Sequence, residues 1–164
     1  MYKVYGAQGP QNGLYKIGPK KWEVIYGFGK DTEDAEHGWN WRKRYNRRPS
    51  IEEIRAEITN TIKAKYAEVL RKGFVWNGKP VEYTEERKSD FTGLLVAMQG
   101  DLLELPIPLN LGKYEDGSPV FHIFDNAADI AAVAQGIAAH KTATAQAEWA
   151  EAKALDLTEY EIEQ

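Results

Sequence analysis

The stretch Pro49-Ser50-Ile51-Glu52-Glu53-Ile54, continuing to Lys72-Gly73-Phe74-Val75-Trp76-Asn77-Gly78, decides how this chain is read. Ser50 offers a hydroxyl to the free N–H groups of a first helical turn and Glu53 can reciprocate, which is a capping box. Ile51, Ile54, Ile58, Ile62, Tyr66 and Val69 follow at steps of three or four and fall on one helix face. Gly73 supplies a C-terminal stop, so the helix runs about 33 Å at 1.5 Å per residue. Immediately beyond it, Asn77-Gly78 between apolar flanks predicts a hairpin, because both turn residues must take positive φ. A helix running straight into a hairpin points to an α+β protein.

Downstream the pattern repeats. Thr84 caps a second helix with Phe91, Leu94, Leu95 and Met98 inward and Gly100 at its end. Leu102 to Leu111, broken by Pro106 and Pro108, reads as an extended edge segment, turned back by Glu115-Asp116-Gly117-Ser118 into Val120–Phe124. Asp125 caps a long helix with thirteen alanines between Ala127 and Ala154. Its stripe of Ile130, Val133, Ile137, His140, Thr144 and Ala147 is expected to pack on the Ile51–Lys72 helix, with self-association through the small-residue end as the alternative. The tail from Glu148, with six acidic residues and one Lys, reads as solvated.

Upstream of Pro49 the composition changes. Residues 1–48 hold ten Lys/Arg against five Asp/Glu, and the remainder eleven against twenty, which together make the net charge of −4. Nine of nineteen aromatics and seven of fourteen glycines also fall in those 48 residues, as expected of short strands joined by glycine turns. The strands are Tyr2–Tyr5, Leu14–Ile17, Trp22–Phe28 and Trp39–Tyr45. The expected division is therefore 1–48, an aromatic and basic β module; 49–155, a helix–hairpin domain; and 156–164, an acidic tail.

Much chemistry is excluded by what is missing. Without cysteine there is no disulfide framework, thiol nucleophile or thiolate-ligated metal. Of three serines, Ser50 is a cap, Ser118 lies in a turn and Ser89 is on a polar helix side, and none stands in a nucleophile-elbow setting. Gly27-Phe28-Gly29-Lys30 fails as a phosphate loop, because Val24 stands where Gly is required and Asp31 where Ser or Thr is; a bulge or turn is the plainer reading. His37, His122 and His140 lack metal-ligand spacing, so no metal and no cofactor are expected. Facing carboxylates of a hydrolase are a property of the fold, and a carboxylate-dependent hydrolase stays open as a third reading. No stretch approaches the roughly 20 apolar residues of a spanning helix, and no signal peptide is read at Met1–Gln11, so a cytoplasmic, membrane-free protein is expected.

One cluster stands out: Trp39-Asn40-Trp41-Arg42-Lys43-Arg44-Tyr45-Asn46-Arg47-Arg48. Cations interleaved with aromatics can grip a protein surface, or a single-stranded nucleic acid. Alternation alone places Trp39, Trp41, Lys43 and Tyr45 on one strand face and Asn40, Arg42 and Arg44 on the other. The candidate partner surface is Trp39, Trp41, Arg42, Arg44, Tyr45, Arg47 and Arg48. A strand with a covered aromatic face and a solvated basic one needs no ligand; among ligand readings a protein partner comes first and a single-strand nucleic-acid module is the alternative, disfavoured by the acidic net charge.

From Ile51 to about Leu155 the chain resembles an uncharacterised family of phage and prophage tail-associated domains. The resemblance rests on Ile54-Arg-Ala-Glu-Ile58, Gly73-Phe-Val-Trp-Asn-Gly78, the polar Glu86–Asp90 opening of the second helix, the hairpin around Pro106 and Phe121, and Ile137-Ala-Ala-His140. It implies a non-enzymatic, virion- or tail-associated structural protein, with symmetric homo-oligomers as tail parts commonly form. It carries no catalytic residues.

Overall fold

The computed structural model describes residues 1–100, 102 and 104–161. Leu103 of the apolar stretch and residues 162–164 of the expected tail lie outside the described residues. The fold is α+β, and contacts divide it into two compact units, Met1–Ala64 with Ala150–Gln164, and Lys65–Trp149.

In the first unit, β1 (Tyr2–Ala7), β2 (Gly13–Gly18), β3 (Lys21–Gly29) and β4 (Gly38–Tyr45) form one antiparallel sheet in the order β1-β4-β3-β2. This is a Greek-key arrangement: β2, β3 and β4 meander, and β1 lies beside β4 at the far edge. The β1–β2 connection must pass β4 and β3, about 14 Å at normal strand spacing, which the five residues from Gln8 to Asn12 can span when extended. Leu14, Trp22 and Val24 are buried on one face of the sheet. The first turns of α1 (Ile51–Lys72) bury Ile54, Ile58 and Ile62, and the Glu57 carboxylate pairs with Lys43 from that same sheet face. The capping box forms as expected: the Glu53 amide donates to Ser50 Oγ at 3.2 Å, and the Ser50 amide to Glu53 Oε2 at 2.8 Å.

The end of the chain corrects the expectation of a solvated tail. After the long helix α3 (Ala127–Lys153), Leu157 and Tyr160 are buried, the latter on the short α4 (Thr158–Glu161). The Tyr160 hydroxyl donates to the Ile25 carbonyl at 2.9 Å, Tyr26 donates to Glu151 at 2.9 Å, and Arg48 donates to the Glu161 carbonyl at 3.2 Å. Two apolar residues set among the acids are enough to anchor the segment, because their burial outweighs the solvation of their neighbours. Burial also pushes the Tyr160 phenol well above its ordinary pKa.

The second unit begins with the last turns of α1. β5 (Phe74–Trp76) and β6 (Lys79–Val81) form the expected hairpin, with Asn77 at φ 47° and Gly78 at φ 74°. α2 (Glu85–Gln99) is capped by the Thr84 hydroxyl, which accepts from the Arg87 amide at 3.0 Å. β7 (Ile107–Lys113) pairs with β8 (Pro119–Phe124), and the Glu82 amide joins β7 by donating to the Leu111 carbonyl. Val81, Phe91, Leu111, Val120, Phe124, Ile130 and Val133 form the core, with Trp76 stacked on Phe124 at 5.6 Å. Gly136 leaves room for the Phe74 ring, which a Cβ there would strike.

Three details differ from expectation. The strand starts at Ile107 rather than Leu102, after Pro106, which has no N–H for a ladder. α3 is capped by Asn126 rather than Asp125: Asn126 Oδ1 accepts from the Asp129 amide at 2.9 Å. Val69 is exposed, and Leu70, eight residues beyond Ile62, packs inward instead. At the end of α1, Leu70 packs against the core that holds Ile130, Val133 and Ile137 of α3. Within the second unit, α3 meets the end of α1 through the His140 ring and the Leu70 carbonyl, 3.1 Å apart.

Tyr160→Ala removes a fully buried ring and a buried hydrogen bond, and should lower the unfolding free energy by about 3–5 kcal/mol in urea titrations. A change below about 1 kcal/mol would show that the C-terminal segment is not part of the first core.

Candidate interaction surface

β4 is an interior strand, paired with β1 through Lys3↔Trp41 and Tyr5↔Trp39 and with β3 through Trp22↔Tyr45 and Glu23↔Arg44. The register puts Trp39, Trp41, Lys43 and Tyr45 on one face and Asn40, Arg42 and Arg44 on the other, as alternation predicts. Arg47 and Arg48 follow beyond the strand end. The seven candidate residues are thus distributed over two faces and a connection.

On the first face, the end next to α1 is closed. Lys43 pairs with Glu57, and the half-buried Tyr45 phenol is pushed up to about 12 by burial, then by Glu57 and Glu53. The other end is open. Trp39 and Trp41 meet edge to face at 5.5 Å, and Lys3 Nζ lies 4.0 Å from the Trp39 ring centroid and 5.5 Å from that of Trp41. Tyr5, 62% exposed, is on the same face. The Trp39 indole N–H donates to Asp31 at 3.1 Å, and its ring lies where a Cβ on Gly29 would be. Asp31 in turn raises the Tyr5 phenol pKa. Two half-buried indoles, an exposed phenol and an exposed ammonium group therefore share one patch.

The opposite face is a charge network. Glu23, only 5% exposed, accepts from Arg42 Nη1 at 3.2 Å and Arg44 Nε at 2.8 Å. Arg42 also reaches Gln11 Oε1 at 3.3 Å. Beyond the strand, Arg47 grips Glu53 with two nitrogens, one at 2.8 Å, and Arg48 lies 5.4 Å from the Trp22 ring. Arg47 first, then the Ser50 amide, hold the Glu53 carboxyl down at about 2.

What holds the aromatic end in place is a bulge. The register between β3 and β4 shifts between Tyr26 and Gly29, and Gly27 takes φ 64°. The Gly27 amide donates to Asn12 Oδ1 at 2.7 Å, and its carbonyl accepts from Asn40 Nδ2 at 2.5 Å. Asn40 is fully buried. The Gly27-Phe28-Gly29 run is thus a bulge, as its reading as a failed phosphate loop suggests.

Lys3, Tyr5, Asp31, Asn12 and Glu23 line the patch, hold the bulge or join the charge network, and the sequence reading does not single them out. Their roles depend on β1 pairing with β4, a long-range choice without a local signal. His122 and His140 have structural neighbours: His122 Nδ1 lies 2.8 Å from Lys79 Nζ with its ring on Trp76 and Phe124, and His140 lies against Phe74 and the Leu70 carbonyl. Among the described residues no three His, Asp or Glu side chains converge as metal ligands, and no helix is long and apolar enough to cross a membrane.

The pattern of the family described as Domain of unknown function (DUF4376) matches residues 53–164. The chain belongs to the DUF4376 family. No curated protein and no solved structure matches it. The DUF4376 match takes in α1 from Glu53, both hairpins, α2, α3 and α4, and leaves the four-stranded sheet with its aromatic patch outside.

Asn40→Ala leaves the Gly27 carbonyl without its donor and should cost about 1–3 kcal/mol, with the upfield ring-current shifts of the Lys3 side chain reduced in proton NMR. Unchanged Lys3 shifts would mean that the bulge does not set the patch. For Glu53, the folded pKa lies below the ordinary 4.5, so its contribution is present above about pH 4.5 and lost as pH falls through about 2. Carboxyl 13C titration should give that low midpoint, rising in Arg47→Ala; a midpoint near 4.5 in the unaltered protein contradicts the pairing.

Proposed function

We propose that the protein is a non-enzymatic interaction module that recognises a protein partner through the open aromatic end of its sheet. The observation that carries this is the patch of Trp39, Trp41, Tyr5 and Lys3. Indole and phenol rings supply large contact area with few rotors, and such residues dominate binding energy at protein interfaces. The lysine over the indoles gives the patch a positive centre suited to an acidic side chain of the partner.

The internal pairing of the basic residues supports a protein over a nucleic acid. Glu23, Glu53 and Glu57 already engage Arg42, Arg44, Arg47 and Lys43, so a phosphate backbone would have to displace carboxylates. Glu53 and Glu85 are both held at about 2, the opposite of the raised pKa that a general acid needs.

The resemblance carried by Gly73–Gly78 and the alanine-rich helix extends the proposal: the partner is another component of a phage or prophage tail, and the chain enters the particle as a symmetric oligomer. Particles purified after induction of the strain that encodes the chain should contain it in fixed ratio to a tail protein, and Trp39→Ala with Trp41→Ala should remove it from them. A chain abundant in the lysate but absent from particles contradicts the tail assignment. Salt-sensitive retention on single-stranded DNA that falls in Arg42→Ala with Arg44→Ala would favour the nucleic-acid alternative instead.

A further inference from the structure

α2 and α3 face one another across a hollow of about 400 Å³, within the range of small-molecule pockets. Its walls are two helical stripes. Lys88, Phe91, Thr92 and Leu95 come from α2, and Ala134, Ala138 and Lys141 are among those from α3. Phe91 and Ile137, nearly fully buried, form its floor. The space exists because α3 presents alanines where α2 presents Thr92 and Leu95, so the two helix surfaces do not fill the gap between them. From Lys88 to Leu95 the groove runs about 10 Å along the helix axis.

Its two ends differ. At one end, Glu85 accepts from Lys141 Nζ at 3.1 Å, from Lys88 Nζ at 3.3 Å and from the Tyr83 hydroxyl at 2.6 Å. Two ammonium groups share one carboxylate there, leaving an excess positive charge beside an apolar channel. Lys141 is further positioned 5.7 Å from the Tyr83 ring centroid. Towards Leu95 the lining carries no charged group.

We infer that this groove binds a small amphipathic anion, such as a medium-chain carboxylate, with its hydrocarbon against Phe91, Leu95, Ala134 and Ala138 and its head group between Lys88 and Lys141. The head group shares the ammonium N–H donors with Glu85, each ammonium having three, and the chain covers apolar surface that water would otherwise occupy. All residues of this site belong to the second unit, and none is part of the aromatic patch.

The test is a 1H–15N NMR titration of the full chain with sodium decanoate, kept below its micelle concentration. Saturable shifts at Phe91, Leu95, Ala134, Ala138 and Lys141 are expected. Lys88→Gln with Lys141→Gln should weaken binding by about tenfold, the loss of two surface charge contacts. Ala138→Phe, at an exposed position, should abolish binding with the thermal midpoint retained, and Ala134→Leu provides a second, smaller filling variant. Absence of saturable shifts, or shifts mapping elsewhere, overturns the site. Equal affinity for decyltrimethylammonium overturns the anion assignment. A concentration-dependent dimer whose interface shifts cover these residues, with decanoate excluded, overturns the small-molecule occupant in favour of a second copy.

Discussion

The first unit depends on how one residue of β3 leaves the ladder. At Gly27 the chain takes a positive φ, and its amide and carbonyl are accepted and supplied by two asparagine side chains. Asn12 comes from the connection that crosses from β1 to β2, and Asn40 from the strand beside the bulge. A buried backbone group without a partner costs roughly 1–3 kcal/mol, so these two side chains make the bulge tenable. They also tie the crossing connection to the sheet. Downstream of the bulge the register resumes at Gly29↔Trp39, which brings Trp39 against Gly29, while the β1–β4 pairing sets it opposite Tyr5. The aromatic end thus joins two registers, the shifted one with β3 and the regular one with β1.

The same sheet changes the meaning of the basic composition. A local excess of Lys and Arg looks like a docking surface for an acidic ligand. In the folded chain Glu23 sits between Arg42 and Arg44, Glu53 is held by Arg47, and Glu57 takes Lys43. Glu53 serves two tasks, completing the capping box of α1 and fixing Arg47 beyond β4. Four of the ten cations in residues 1–48 therefore join sheet to helix or strand to strand. Lys3 is different: it stands over two indoles on the open face. The distinction between arginines that hold the fold and a lysine that faces outward comes from strand pairing, to which a charge count is blind.

What was legible in the sequence is what short-range physics sets. The helix from Ile51 to Lys72, the Asn77-Gly78 turn, the Thr84 cap and the two-faced alternation of β4 each follow from residues within one or two turns of chain. The misread features are tertiary. Leu157 and Tyr160 look like minor interruptions of an acidic tail, and only the presence of β3 makes Tyr160 an anchor. Asn126 and Asp125 are both competent caps, and a one-residue difference in where α3 starts decides between them. The alanines of α3 suggest close helix approach, whereas at Ala134 and Ala138 they leave a groove.

The central claim is that Tyr5, Trp39 and Trp41 form the contact surface of the chain. Hydroxyl-radical footprinting of the free protein and of the protein in its assembled state measures this at single side chains. The account predicts strong labelling of Tyr5 and clear labelling of both indoles in the free chain, with all three protected on assembly. Labelling of these residues that is the same in both states would contradict it.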